Sequence, residues 1–216
     1  MIKAVCFDMD GVLVDSERLG AMILNEAAAL QNILLDQEKK TALLGCNMET
    51  TRLLLTSWFP NIDVQRFTDD WCRLMIEHVN REGLPLMPDA RKVLRDLRER
   101  GILLALCTSN ATDVVENYLK LAEWEHGVFD RIITGDMIQH GKPAPDIYLE
   151  GADRLGVHPS ECIGVEDSFN GVRSVRAAGM RSVMIPDTMP FTEKFAPFVD
   201  DILTDLTELI GLIGKE

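Results

Sequence analysis

Short, continuously apolar runs recur along this chain, and after Gly83 each is followed by a stretch with helical spacing. Lys3–Phe7, Ile102–Cys107, Arg131–Thr134, Glu161–Val165 and Ser182–Ile185 are too short for buried helices and read as strands. A helix begins at Pro88, with Val93, Leu94 and Leu97 on its apolar face and Gly101 as its stop. Thr112–Leu121, Asp146–Leu155, Gly171–Ala178 and Thr204–Ile213 read as further helices. Such alternation requires a parallel sheet covered on both faces. One block breaks it. From Ser16 to Asn80, Leu19, Ile23, Ala27 and Leu30 keep helical spacing, as do Phe67, Trp71, Leu74 and His78. Breaks at Asn32–Leu35, Leu44–Asn47 and Pro60–Asp63 divide the block into about four helices. The expected fold is therefore α/β: a doubly wound, Rossmann-like core of residues 1–15 and 86–216, with a helical cap inserted at 16–85.

A chain of 216 residues, 46% hydrophobic, has material for such a core and insertion. Its formal net charge of −13 argues against nucleic acid or an anionic membrane as partner. It also means that any site for an anion must carry its own positive source. Five cysteines without a CxxC pair fit a reduced, intracellular protein. No long apolar segment and no leader precede the first strand, so a cytoplasmic location is expected. A monomer is expected.

Ligands of open parallel sheets bind beyond the carboxyl ends of the strands. The polar residues that follow each expected strand are therefore the candidates. The first strand runs into Asp8-Met9-Asp10-Gly11, the second into Thr108-Ser109-Asn110, and the fourth into Glu166-Asp167-Ser168. Lys142, in Gly141-Lys142-Pro143, follows the third strand. Carboxylates crowded onto one edge need a neutralising partner. Mg²⁺ fits, because it uses one or two carboxylates, waters and a substrate phosphate oxygen. Lys142 can neutralise further charge, and Thr108, Ser109 and Asn110 can donate to phosphate oxygens. Of two aspartates on one strand end, the first can act as nucleophile and the second as general acid and base. Singly, each feature has a plainer reading: a surface turn for DxDG, a solvated loop lysine, or a helix N-cap at Glu166-Asp167-Ser168. Their order at successive strand ends favours the functional reading.

Asp8-Met9-Asp10-Gly11-Val12-Leu13-Val14-Asp15-Ser16 resembles the first motif of the haloacid dehalogenase superfamily. Thr108, Lys142 in GKPAPD, and Glu166-Asp167 in GVEDSFNG are similar to its second, third and fourth motifs, in order. The resemblance spans nearly the whole chain and is nearest to the beta-phosphoglucomutase-like branch, where a helical cap follows the first strand. It implies that Asp8 is the nucleophile and Asp10 the acid/base, and that Thr108 and Lys142 bind the transferring phosphoryl group. It implies that Asp8, the Asp10 carbonyl and Asp167 hold Mg²⁺, with Glu166 assisting. Asp10 argues against dehalogenase chemistry, which lacks the second aspartate. The cap turn of the branch, here Leu44–Glu49, makes Asn47 a candidate substrate contact.

The expected activity is a Mg²⁺-dependent phosphatase for a small phosphorylated metabolite, a sugar phosphate foremost. A sugar phosphomutase is the alternative. In the beta-phosphoglucomutases a lysine, an arginine and a histidine of the cap hold the second phosphate, and the matching positions here are Leu44, Met48 and Gly20. None carries a charge, although Arg18 or Arg52 could substitute. A phosphoacceptor receiver domain fits poorly, since its acceptor aspartate follows the third strand and it has no helical insertion. A catalytically dead binding protein would be expected to have lost Asp8 or Asp10.

Overall fold

Six parallel strands form the sheet that the apolar runs require: β1 (Ala4–Phe7), β2 (Leu103–Cys107), β3 (Arg131–Ile133), β4 (Cys162–Glu166), β5 (Arg181–Met184) and β6 (Asp201–Ile202). Their order in the sheet is β3-β2-β1-β4-β5-β6. This computed structural model describes residues 1–43, 48–124 and 127–213. Every residue of β1 and β4 is buried, which explains why both strands read as unbroken apolar runs. The chain leaves β1 toward β2 and β3 on one side and returns to β4 on the other. The sheet therefore reverses its winding between β1 and β4, the place where doubly wound folds open a crevice for ligands. Phe7 pairs with Leu106 of β2 and with Val165 of β4. The three strands thus end within one residue of one another, and Asp8, Thr108 and Glu166 gather along one edge.

The chain forms two compact units, one of Met1–Val14 with everything from Leu86 onward, the other of Asp15–Pro85. The second unit holds α1 (Ser16–Leu30), α2 (Gln37–Leu43), α3 (Met48–Trp58) and α4 (Val64–Glu82). Leu24, Ala27, Leu55 and Phe67 form its core, and Trp58 and Trp71 pack against them. The Trp71 indole N–H also donates to the Gly20 carbonyl at 3.2 Å, tying α4 to α1.

In the first unit the helices are α5 (Ala90–Glu99), α6 (Thr112–Leu121), α7 (Asp146–Leu155), α8 (Phe169–Ala177) and α9 (Leu209–Ile213). Ile147, Tyr148 and Ala152 of α7 and Val175 of α8 share one buried cluster with Cys6 and Cys107 of the sheet. The expected last helix is shorter than its spacing suggested. The Asp205 carboxylate accepts the Thr207 amide at 2.8 Å, a short 3-10 turn follows over Leu206–Glu208, and α9 starts only at Leu209. Among the described residues no helix is long and apolar enough to cross a membrane.

Candidate active site

The turn after β1 folds back tightly. The amides of Leu13 and Val14 both donate to the Met9 carbonyl, and the Gly11 amide donates to the Val14 carbonyl, each at 2.9 Å. Gly11 sits at φ +73°, in the left-handed region that glycine enters without penalty. A Cβ there would lie 2.2 Å from a carboxylate oxygen of Asp167. Gly11 thus serves twice: it permits the turn and it lets the β4 loop approach it.

Lys142 is the electrostatic centre of the edge. Its ammonium donates to Asp8 Oδ1 at 2.7 Å, to Glu166 Oε1 at 2.7 Å and to the Cys107 carbonyl at 3.0 Å. Three acceptors engage all three of its protons. The side chains of Lys142 and Asp8 are 8% and 12% exposed and that of Glu166 is fully buried, so water screens these attractions weakly. Burial pushes the Asp8 carboxyl up to about 7, against the pull of Lys142, while Glu166 and Asp10 push it in the same direction as burial. Burial works against the Lys142 ammonium, but Asp8 and Glu166 outweigh it and hold Lys142 above the ordinary lysine range.

Glu166 is held from every side. Besides Lys142, its Oε1 accepts the Tyr148 hydroxyl at 2.7 Å, and its Oε2 accepts the Ser168 hydroxyl at 3.1 Å. Ser168 in turn accepts the Gly171 amide at 3.0 Å and caps α8. A Cβ on Gly171 would fall 1.8 Å from the Glu166 carboxyl carbon, so only glycine lets the carboxylate rest against the first turn of α8. The loop that carries Lys142 is tied to α8 as well, by a 2.6 Å bond from the Ser174 hydroxyl to the Ala144 carbonyl.

Thr108 is fully buried at the end of β2, and its hydroxyl accepts the Asn110 amide at 3.2 Å. The Asn110 side-chain amide donates to Asp10 Oδ2 at 2.7 Å. The sequence suggests Asn110 as a donor to phosphate; in the structure one of its N–H groups is engaged in orienting Asp10. Ser109 is exposed at the same strand end. Asn47 lies outside the described residues. Tyr148 is the neighbour of this site that sequence reasoning passed over. It stands six residues after Lys142, inside an ordinary amphipathic helix, and its one signal was the need of a deeply buried phenol for a hydrogen-bond partner.

Asp8, Glu166 and Asp167 each offer a carboxylate oxygen, all within 4.8 Å of one another. Lys142 brings one positive charge to these three carboxylates, and a divalent cation would bring two more. Hard carboxylate oxygens gathered at this spacing fit Mg²⁺.

A model of the haloacid dehalogenase-like hydrolases matches residues 2–179. The CbbY protein of Cereibacter sphaeroides is 31% identical over 229 aligned positions, covering 100% of this chain and 97% of that protein. Hexitol phosphatase B of Escherichia coli K12 is 28% identical, with 96% and 94% covered. A solved structure of a candidate beta-phosphoglucomutase from Thermotoga maritima superposes with a TM-score of 0.81 at 25% identity, covering 98% of each chain.

Proposed function

The chain belongs to the haloacid dehalogenase-like hydrolases, in their beta-phosphoglucomutase-like branch, and we propose that it is a Mg²⁺-dependent phosphatase of a small sugar phosphate that works through a phosphoryl group on Asp8. The observation that carries this reading is the contact of Lys142 with Asp8 and Glu166 at the strand ends, where Asp167 joins the same two carboxylates. The hexitol phosphatase among the relatives supports a phosphorylated sugar or sugar alcohol as substrate class.

In this reading an Asp8 carboxylate oxygen attacks phosphorus, the ester P–O bond breaks, and Asp10 donates a proton to the departing oxygen. Asp10 then takes a proton from water as that water attacks the phosphoryl group on Asp8, which releases inorganic phosphate and restores the carboxylate. Asn110 holds Asp10 through the 2.7 Å bond to its Oδ2. Thr108 and Lys142 bind the transferring phosphoryl oxygens. As the charge of Asp8 passes to the phosphoryl group, the Lys142 donor that bonded Asp8 follows it. Asp8, the Asp10 carbonyl and Asp167 would hold Mg²⁺, with Glu166 assisting from behind by fixing Lys142. The cation would supply the positive charge that keeps Asp8 ionised and withdraws charge from a phosphoryl oxygen.

The test is phosphate release from a panel of sugar phosphates, sugar-alcohol phosphates, nucleotides and a generic aryl phosphate. Excess chelator should abolish it and added Mg²⁺ should restore it. Asp8→Asn should fold and remain inactive, because an amide does not attack phosphorus. Near wild-type turnover by that variant, or full activity in chelator, would overturn the reading.

A further inference from the structure

Tyr148 is one of two tyrosines in the chain and, among the described residues, heads the largest of the fully buried side chains. A phenol at that depth needs a partner for its hydroxyl. The partner is Glu166 Oε1 at 2.7 Å, the same oxygen that accepts Lys142 at 2.7 Å. The Tyr148 ring also lies beside the ammonium, with its centroid 5.2 Å from Lys142 Nζ, within cation–π range. One side chain therefore touches both members of the pair that faces Asp8. Core packing does not ask for the hydroxyl, since a phenylalanine would fill the same space among Ala105, Cys107, Ile147 and Ala152. The hydroxyl has a different consequence. With Tyr148 on Oε1 and Ser168 on Oε2, the Glu166 carboxylate is prevented from rotating.

We propose that Tyr148 is a positioning residue: its hydroxyl fixes Glu166, and through Glu166 and its own ring it keeps the Lys142 ammonium aimed at the reacting centre. The inference rests on the reading of Asp8 as nucleophile. When Asp8 bonds to phosphorus, the Lys142 donor that held Asp8 Oδ1 passes to a phosphoryl oxygen. A lysine ammonium on its flexible stem makes that transfer without drifting only if its other two donors stay anchored. Those anchors are Glu166 and the Cys107 carbonyl. Loosening Glu166 therefore weakens contacts of the transition state more than those of the bound substrate.

Tyr148→Phe keeps the ring and removes the hydroxyl. It should lower kcat by about ten-fold at nearly unchanged KM, and raise the inhibition constant of orthovanadate, a mimic of five-coordinate phosphorus, by a similar factor. A role confined to packing would lower the thermal midpoint and leave both constants unmoved. A second arm needs no turnover. In a urea-unfolding cycle of Tyr148→Phe with Glu166→Gln, the coupling should reach about five-fold in the unfolding equilibrium constant. A kcat and a vanadate constant both within about two-fold of wild type overturn the proposal, as does a coupling below about two-fold. If the wild-type protein hydrolyses no phosphate ester, the phosphatase reading fails and the positioning role falls with it, whereas a coupling below about two-fold in an active protein overturns the Tyr148 proposal alone.

Discussion

As the proposed nucleophile Asp8 would have to be an anion to attack phosphorus, yet it is buried where the neutral form is favoured, with its carboxyl pushed up to about 7. The folded protein without metal therefore holds the Asp8 proton more tightly than the unfolded chain, whose value is near 3.8. The stability this contributes is complete below the unfolded value and is lost as pH rises through the folded one. Asparagine does not titrate, so Asp8→Asn should be more stable than wild type at about pH 8 in chelator, on the order of 1–3 kcal/mol, and the advantage should shrink toward about pH 4. Thermal unfolding of both proteins across that range checks it, and an advantage that grows on acidification contradicts it. Asp8, Asp10, Thr108, Lys142, Glu166 and Asp167 were all legible as candidates, because each follows a strand and motif order ties them together. Two details were not legible at this scale. The full engagement of the three Lys142 protons depends on a backbone carbonyl, that of Cys107, which no sequence pattern marks. The phenol of Tyr148 meets Glu166 only because α7 crosses the sheet, a tertiary fact that helical periodicity does not contain.

The elements that were readable are those whose burial is complete or whose ends are chemically marked. β1 and β4 are buried throughout, and α6 and α7 run over the residues their spacing indicates. β6 was not readable: it has two residues, one of them exposed, and stands at the sheet edge beside β5. The 3-10 stretch Glu193–Phe198 was also missed, because its order comes from Phe195 packing on Val172 and Met184 rather than from a local period. α8 starts at Phe169, earlier than its apolar pattern suggests, because Ser168 supplies the cap. Here the plain and the functional readings of Glu166-Asp167-Ser168 are both true: Ser168 caps the helix and holds Glu166. Ser168→Ala should therefore cost about 1–2 kcal/mol of unfolding free energy, cap and carboxylate bond together, and Ser168→Thr should recover most of it. Urea denaturation of the three proteins measures this, and equal midpoints for Ser168→Ala and wild type would show that the hydroxyl does neither task.

At the scale of the molecule a net charge of −13 coexists with chemistry on an anion. At the strand ends the positive charge comes from Lys142, and a cation held by the neighbouring carboxylates would add to it, while the acidic balance of the whole chain discourages polyanionic partners. In the proposed mechanism phosphatase and phosphomutase would use the same Asp8 and Asp10, so the core unit would not separate them. By resemblance, the residues that would separate them fall within Asp15–Pro85. A mutase must hold a bisphosphorylated sugar through the phosphate that is not reacting, and that phosphate calls for cationic side chains. By resemblance three positions would supply them, and here they are Leu44, Met48 and Gly20. Gly20 is buried in α1, its carbonyl takes the Trp71 N–H, and a Cβ at that position would meet the Trp71 ring at 3.7 Å. An indole thus occupies the space beside the position where the mutases carry a histidine. Without a second phosphate clamp, water should outcompete a sugar hydroxyl for the phosphoryl group on Asp8. The protein should therefore release inorganic phosphate from small sugar phosphates and convert no appreciable beta-glucose 1-phosphate to glucose 6-phosphate, even with a bisphosphate primer. A coupled glucose-6-phosphate assay run beside phosphate detection distinguishes the two, and isomerisation outpacing phosphate release would assign the chain to the mutases instead.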